Sequence, residues 1–340
     1  MQRKSQVIGG LFVLVGIFAL VRKNSENTKA AATPAVRQAA PAAAVAAAAT
    51  TDEEAASLAD ARRGFVTSVS RRETVPMPLP DPPAALFIRT DVAGKHGLTL
   101  PAFITPDPKD GRKHPAIIWL TGGDTNTLDE FWTPGPEAND QSASAFRQAG
   151  VVTMFPTLRG GNTNAGGKEY FFGEIDDVLA AAEHLARQSY VDPEQVYLGG
   201  HSTGGTLALL TAEASGRFKA VFAFGPVARV DRYPASLVPV NLGEPGGPER
   251  RLRSPIHWLT GISSPTYLIE GRNAPGNLAD VEELCAKSRN AQVRCILADG
   301  VDHFSVLSKV SRVIAARLSV AGEIPFVLQA GEFGSAVARE

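Results

Sequence analysis

Between residues 84 and 320 the apolar positions change their period repeatedly, and each change marks an element. Leu86–Arg89 and Leu98–Ile104 read as a pair of antiparallel strands. Ala116–Leu120 is an unbroken apolar run ending in Thr121-Gly122-Gly123, which fits a strand covered on both faces. Residues 142–150 read as a helix leading into a strand at Val151–Pro156. In Glu174–Arg187 the apolar residues Ile175, Val178, Leu179, Ala182 and Leu185 fall on one helical stripe. Strands follow at Val196–Leu198, Ala220–Phe224, Thr266–Glu270 and Val293–Leu297, with helices at Thr206–Glu213, Leu278–Arg289 and Val306–Leu318. Apolar strands alternating with amphipathic helices predict an α/β fold: a mostly parallel central sheet with helices on both faces.

The front of the chain has another pattern. Met1-Gln2-Arg3-Lys4 precedes an uncharged, mostly apolar run from Val7 to Val21, closed by Arg22-Lys23. That run is shorter than the roughly 17–25 residues of a spanning helix and suits a signal-peptide core. No small-x-small cleavage site follows it, so residues 1–23 predict a single-pass anchor, with export after cleavage as the alternative. The basic pairs at both ends leave the side of the membrane open. Residues 24–83 are rich in Ala and Pro and read as a linker and extended arm, with a short helix before Arg62-Arg63. The body is then 84–320, followed by a tail at 321–340.

The 34 basic and 35 acidic residues nearly cancel, and no basic tract marks the body. Nucleic acid is therefore not an expected partner. Scattered histidines and two cysteines lack ligand spacing, so neither a metal nor another cofactor is expected. Cys285 falls in a helix and Cys295 in the next strand; a disulfide between them is geometrically conceivable, although two buried thiols are the reading the sequence favours.

One motif carries chemistry. Val196-Tyr197-Leu198-Gly199-Gly200-His201-Ser202-Thr203-Gly204-Gly205 places Gly-x-Ser-x-Gly between a strand and a helix. A serine on so sharp a strand-to-helix turn needs small neighbours, and the turn lifts its hydroxyl clear of the sheet edge. The helix behind it points backbone N–H groups to where negative charge would develop. A serine nucleophile needs a base. Of six histidines, His303 lies past the last strand and an Ala298-Asp299-Gly300 turn, at the C-terminal sheet edge where open α/β folds bind ligands. His201 sits on the turn itself and reads as packing, and His184 as helix surface.

Taken in order, these segments resemble the α/β-hydrolase superfamily, above all the prolyl oligopeptidase-like and dienelactone hydrolase-like serine hydrolases. The resemblance runs from about Leu98 to Leu318. It rests on Trp119–Gly123, Phe155–Gly161, Glu174–Asp177, Val191-Asp192-Pro193, Gly200–Gly205 and Asp302-His303-Phe304. It implies an α/β-hydrolase fold and an acyl-enzyme mechanism on a small ester or peptide, with Ser202 as nucleophile and His303 as base. The oxyanion donors would be the N–H of Thr203 and the backbone of Gly122 and Gly123. Relatives place the triad acid a few residues past the glycine that ends the next-to-last strand, but here Gly271–Asn277 holds no carboxylate. Asp231 is the favoured substitute, with Asp280 and Glu270 as alternatives, and Asn273 or Asn277 as amides that could orient the base. Arg159, Glu169 and Tyr170 are candidates to line the cleft. The Pro- and Gly-rich stretch 233–254 is either a cap over it or a solvated loop. The missing acid leaves two other readings open: a catalytically silent fold used for binding, or a membrane-tethered scaffold.

Overall fold

The computed structural model describes residues 57–72, 76–238, 241–320 and 337–339. Chain order begins with α1 (Leu58–Arg62), β1 (Ile88–Ala93), β2 (Thr99–Ile104), β3 (His114–Leu120), α2 (Ser144–Gln148), β4 (Val152–Pro156), α3 (Glu174–Ala186) and β5 (Val191–His201). It continues with α4 (Thr203–Ala214), β6 (Val221–Phe224), α5 (Pro248–Arg251), β7 (Thr266–Gly271), α6 (Leu278–Lys287), β8 (Val293–Ala298), α7 (Ser305–Val320) and β9 (Val337–Arg339). The strands form one sheet in the order β1-β2-β4-β3-β5-β6-β7-β8-β9. From β4 to β8 every neighbouring pair is parallel; β1, β2 and β9 join antiparallel at the edges. This is the α/β-hydrolase fold.

Side-chain alternation along the central strands explains the layering. In β3, Ala116, Ile118 and Leu120 enter one apolar cluster, and Ile117 and Trp119 enter the other. In β6, Val221 and Ala223 face the first cluster while Phe222 and Phe224 face the second. Successive residues of a strand point to opposite faces, so a continuous apolar run requires cover on both sides. Helix α3, α4 and α6 cover the first face, and α2 and α7 the second. Helix α4 is buried over nearly its whole circumference, as its run of Thr, Gly, Ala and Leu demands.

The structure departs from the sequence reading at both ends of the body. The fold takes in residues 57–72, well before Ala84: Leu58 is fully buried and Val69 nearly so. The arm is held by polar contacts that no hydrophobic period reveals. Glu249 of α5 accepts from the Ser68 N–H at 2.6 Å and the Thr67 hydroxyl at 2.9 Å. Arg71 and Lys168 exchange backbone hydrogen bonds at 3.0 and 2.8 Å. At the other end, β9 extends the sheet from within the stretch read as a tail. The apolar run Val7–Val21 lies outside the described residues. Among those residues no helix is long and apolar enough to cross a membrane.

Cys285 and Cys295 form a disulfide, joining α6 to β8, so the reading as two thiols is corrected. Adjacent helix and strand pack together, which brings their Cα atoms to 6.3 Å, within bonding range. The bond closes a short loop, for which chain entropy gives about 2–3 kcal/mol. The double variant Cys285→Ser/Cys295→Ser should lose that amount in denaturant unfolding. Reductant should lower the wild-type midpoint to match and leave the variant unmoved; a variant as stable as oxidised wild type would contradict this.

Candidate active site

Strand β5 ends at His201, and Ser202 follows with φ 55° and ψ −114° before α4 begins at Thr203. A non-glycine residue seldom adopts such a conformation, and packing on both sides holds it there. The Ser202 N–H donates to the Phe224 carbonyl of β6 at 2.8 Å, and its carbonyl accepts the Thr206 N–H at 2.8 Å. The neighbouring glycines are required by contact. A Cβ on Gly204 would come within 2.2 Å of the Leu120 carbonyl, and one on Gly200 within 2.3 Å of the Gly204 carbonyl. Strand and helix approach this closely only without side chains.

The loop after β3 lies directly against this turn. A Cβ on Gly122 would sit 3.4 Å from that of Ser202. The Thr203 hydroxyl donates to the Gly123 carbonyl at 2.8 Å, tying the first residue of α4 to the loop. Behind it, Asn126 donates to the Arg159 carbonyl at 2.8 Å and to Glu174 Oε1 at 3.0 Å. Burial pushes the Glu174 carboxyl above its usual range, against the opposing hydrogen bond from Asn126. Arg159 makes a two-pronged pair with Asp177 at 2.8 and 2.9 Å and reaches Glu169 at 2.9 Å. It is thus a buried brace of the loop and not a residue of the cleft surface.

His303 lies between β8 and α7 and is 6% exposed. Its Nδ1 is 2.8 Å from Glu270 Oε2, at the end of β7, and Glu270 is fully buried. The same carboxylate accepts the N–H of Gly271 at 2.7 Å and of Asn277 at 3.2 Å. Gly225, just past Phe224, lies under the imidazole: a Cβ there would fall 2.3 Å from the ring. The elbow serine and the histidine are therefore gathered at one end of β5, β6 and β7. Phe304, 37% exposed, packs edge-on to the His303 ring at 5.1 Å.

The carboxylate beside His303 is Glu270, not the favoured Asp231. Asp231 stands in the turn after β6, where it pairs with Arg250. Asp280 accepts the Ala228 N–H at 3.0 Å and faces Arg232, so it braces the chain leaving β6. Asn277 helps through its backbone, and its side chain donates to the Gly225 carbonyl at 2.8 Å. The Asn273 N–H bonds the Val301 carbonyl. The signal in the sequence was a lone acid closing an apolar strand, Tyr267-Leu268-Ile269-Glu270, where a charge is costly unless paired.

His201 does more than pack. Its ring lies 4.4 Å from that of His303, and its Nε2 is 2.9 Å from the His303 carbonyl oxygen. A carbonyl only accepts, so Nε2 carries the hydrogen and Nδ1 accepts from the Gln141 amide at 3.1 Å. Burial, with His303 nearby, pushes the His201 pKa down to about 3. In the unfolded chain it returns to about 6.5, so between those values the unfolded state binds the extra proton. Its contribution is complete above about pH 6.5 and is lost as pH falls toward 3, by up to about 1.4 kcal/mol per unit. His201→Gln should flatten the fall in stability between pH 6.5 and 4, measured by urea midpoints; equal slopes for both proteins would refute the assignment.

With this geometry in view, comparison with known proteins is informative. Residues 137–248 match the prolyl oligopeptidase family. The match holds the elbow and the segment 233–248; Glu270 and His303 lie beyond it. The dual function macrocyclase-peptidase POPB of Amanita bisporigera is 31% identical over 150 residues, which cover 41% of this chain and 20% of that protein. Dipeptidyl-peptidase 5 of Porphyromonas gingivalis is 22% identical over 182 residues, 51% of this chain and 26% of the relative. The chain thus spans about a fifth to a quarter of the length of these relatives. Among solved structures, a puromycin-hydrolyzing peptidase of Mycobacterium tuberculosis superposes with TM-score 0.55 at 19% identity, over 70% of this chain and 39% of the other. An esterase of Pyrobaculum calidifontis superposes with TM-score 0.50 at 20% identity, over 70% and 86%. These likenesses show a shared fold.

Proposed function

We propose that the chain is a serine hydrolase that works through an acyl-enzyme, acting on a small ester or on the amide of a short peptide. The observation that carries this reading is the His303–Glu270 contact of 2.8 Å, buried at the sheet end where Ser202 is held on its strained turn. Glu270 accepts the hydrogen on His303 Nδ1, which leaves Nε2 unprotonated and able to take the Ser202 proton. The serine oxygen then attacks the substrate carbonyl. Backbone N–H groups of Thr203 and of the Gly122–Gly123 loop meet the oxyanion. His303 returns the proton to the leaving group, and water, deprotonated by the same imidazole, releases the acid and regenerates Ser202. Prolyl oligopeptidase-like relatives named as peptidases support the amide, and the esterase neighbour supports the ester. Esters, with their better leaving group, are the substrates to try first.

A fluorophosphonate probe tests the reading, because it phosphonylates only an activated serine. Wild type should label once, at Ser202, and Ser202→Ala should not label. An unlabelled wild type would leave a binding fold without chemistry.

We propose further that the domain works outside the reducing cytosol; the Cys285–Cys295 disulfide supports this, since disulfides persist in oxidising compartments. The Val7–Val21 run would export or tether it. Fractionation with alkaline extraction separates a tethered from a released chain, and recovery from the cytosol with both thiols free would refute the placement.

A further inference from the structure

A cavity of about 200 Å³ opens beside the elbow, with Gly123 and Thr203 in its wall. It is smaller than the roughly 300–1,000 Å³ of a drug-sized site, so its occupant is small. Its other walls are unusual for an ester site because they are charged. Arg71, Lys168 and Asp124 all line it. Lys168 Nζ pairs with Asp124 at 2.7 Å, which cancels one cation, whereas the exposed Arg71 makes no ion pair among the described residues. Among the described residues Arg71 is thus a cavity cation not engaged in an ion pair. Thr125 adds a second, independent mark. It lines the cavity, is 6% exposed, and its hydroxyl has no hydrogen-bond partner among the described residues. A buried hydroxyl left without a partner is costly unless something occupies its place.

The position of the cavity says which half of the substrate enters it. The leaving group must lie against His303, which protonates it, and His303 is not part of the cavity wall. The wall instead shares Gly123 and Thr203 with the proposed oxyanion donors, so the acyl half projects into it.

Resting on the hydrolase reading, we propose that the acyl group of the substrate ends in a carboxylate, which Arg71 binds as a fork and the Thr125 hydroxyl supplements. The substrate class is the half-ester, or half-amide, of a short dicarboxylic acid. The residue that selects it comes from the arm at 57–72 and not from the hydrolase body. The paired backbone bonds between Arg71 and Lys168 fix that arm at the cavity mouth. Arginine suits the task because its planar donors match a carboxylate.

The test compares two esters of equal acyl length, p-nitrophenyl hydrogen glutarate and p-nitrophenyl valerate, by the ratio of their kcat/KM values. Wild type should favour the glutarate by about ten- to a hundredfold, the worth of hydrogen bonds to a charged group. The preference should shrink at high salt, because Arg71 is exposed. Arg71→Glu should abolish or invert the ratio. Asp124→Asn should raise it, and Thr125→Val, which keeps the shape, should lower it several-fold. A ratio near one in wild type, or one unmoved in Arg71→Glu, overturns the inference while hydrolysis stands. Calorimetry of free glutarate with Ser202→Ala gives a readout without turnover: binding that is lost on adding Arg71→Glu supports the pocket even if the chemistry fails, and absence of binding sinks it.

Discussion

Ser202→Ala is expected to lower kcat by about 10⁶-fold, the cost of removing a nucleophile that acts as one unit with its base. KM should stay within a few-fold, because the elbow backbone and the loop at Gly122–Gly123 do not depend on the hydroxyl. Alanine fits the turn without a larger side chain, so the variant should fold and keep its unfolding midpoint. Residual catalysis from the oxyanion donors would persist at a level that adding His303→Ala does not reduce further. The measurement is steady-state hydrolysis of a p-nitrophenyl ester by purified protein. A variant retaining a tenth of the activity would place the nucleophile elsewhere.

Glu270→Gln is expected to cost about 10⁴-fold in kcat, again with little change in KM. The amide keeps the volume but can present N–H to His303 Nδ1. That favours the tautomer whose Nε2 is already protonated and cannot accept from Ser202. Glu270→Asp keeps the charge but withdraws it by one carbon–carbon bond, and should fall between Gln and wild type. Asp231→Asn should leave kcat nearly unchanged, since that side chain serves Arg250. Because Glu270 also receives the Gly271 and Asn277 N–H groups, unfolding midpoints belong beside the kinetics. If the Asp231 variant lost more activity than the Glu270 variant, the acid assigned from geometry would be wrong.

The contrast between these two carboxylates shows what one sequence carries. Ser202 was legible because three glycines around it and a strand before it meet a steric demand that leaves few alternatives. His303 was legible because the alternation of elements puts it at the end where strands deliver their loops. The parallel sheet followed from unbroken apolar runs such as Ala116–Leu120. Glu270 was harder. A charge closing a buried strand also fits a plain sheet-end residue, and the sequence does not state how far a side chain reaches. Glutamate starts one position before the glycine, and its extra methylene carries its oxygen to the imidazole that relatives serve from a later aspartate. The arm at 57–72 was invisible for a different reason: Glu249, Thr67 and Ser68 hold it by hydrogen bonds, which have no period. The role of His201 was hidden too, because adjacency in sequence says nothing of a carbonyl a hundred residues away.

In the proposed mechanism the carboxylate that aims the imidazole is rooted in the sheet, so residues 272–274 carry no part of the proton handling. The Arg272 and Asn273 N–H groups bond the Ala298 and Val301 carbonyls, as almost any residue could, whereas the Pro275 carbonyl accepts the His303 N–H at 3.2 Å. Sequence drift or a designed library could rework residues 272–274 while the proposed trio stays in register. New selectivity could thus be grafted beside the chemistry without rebuilding it.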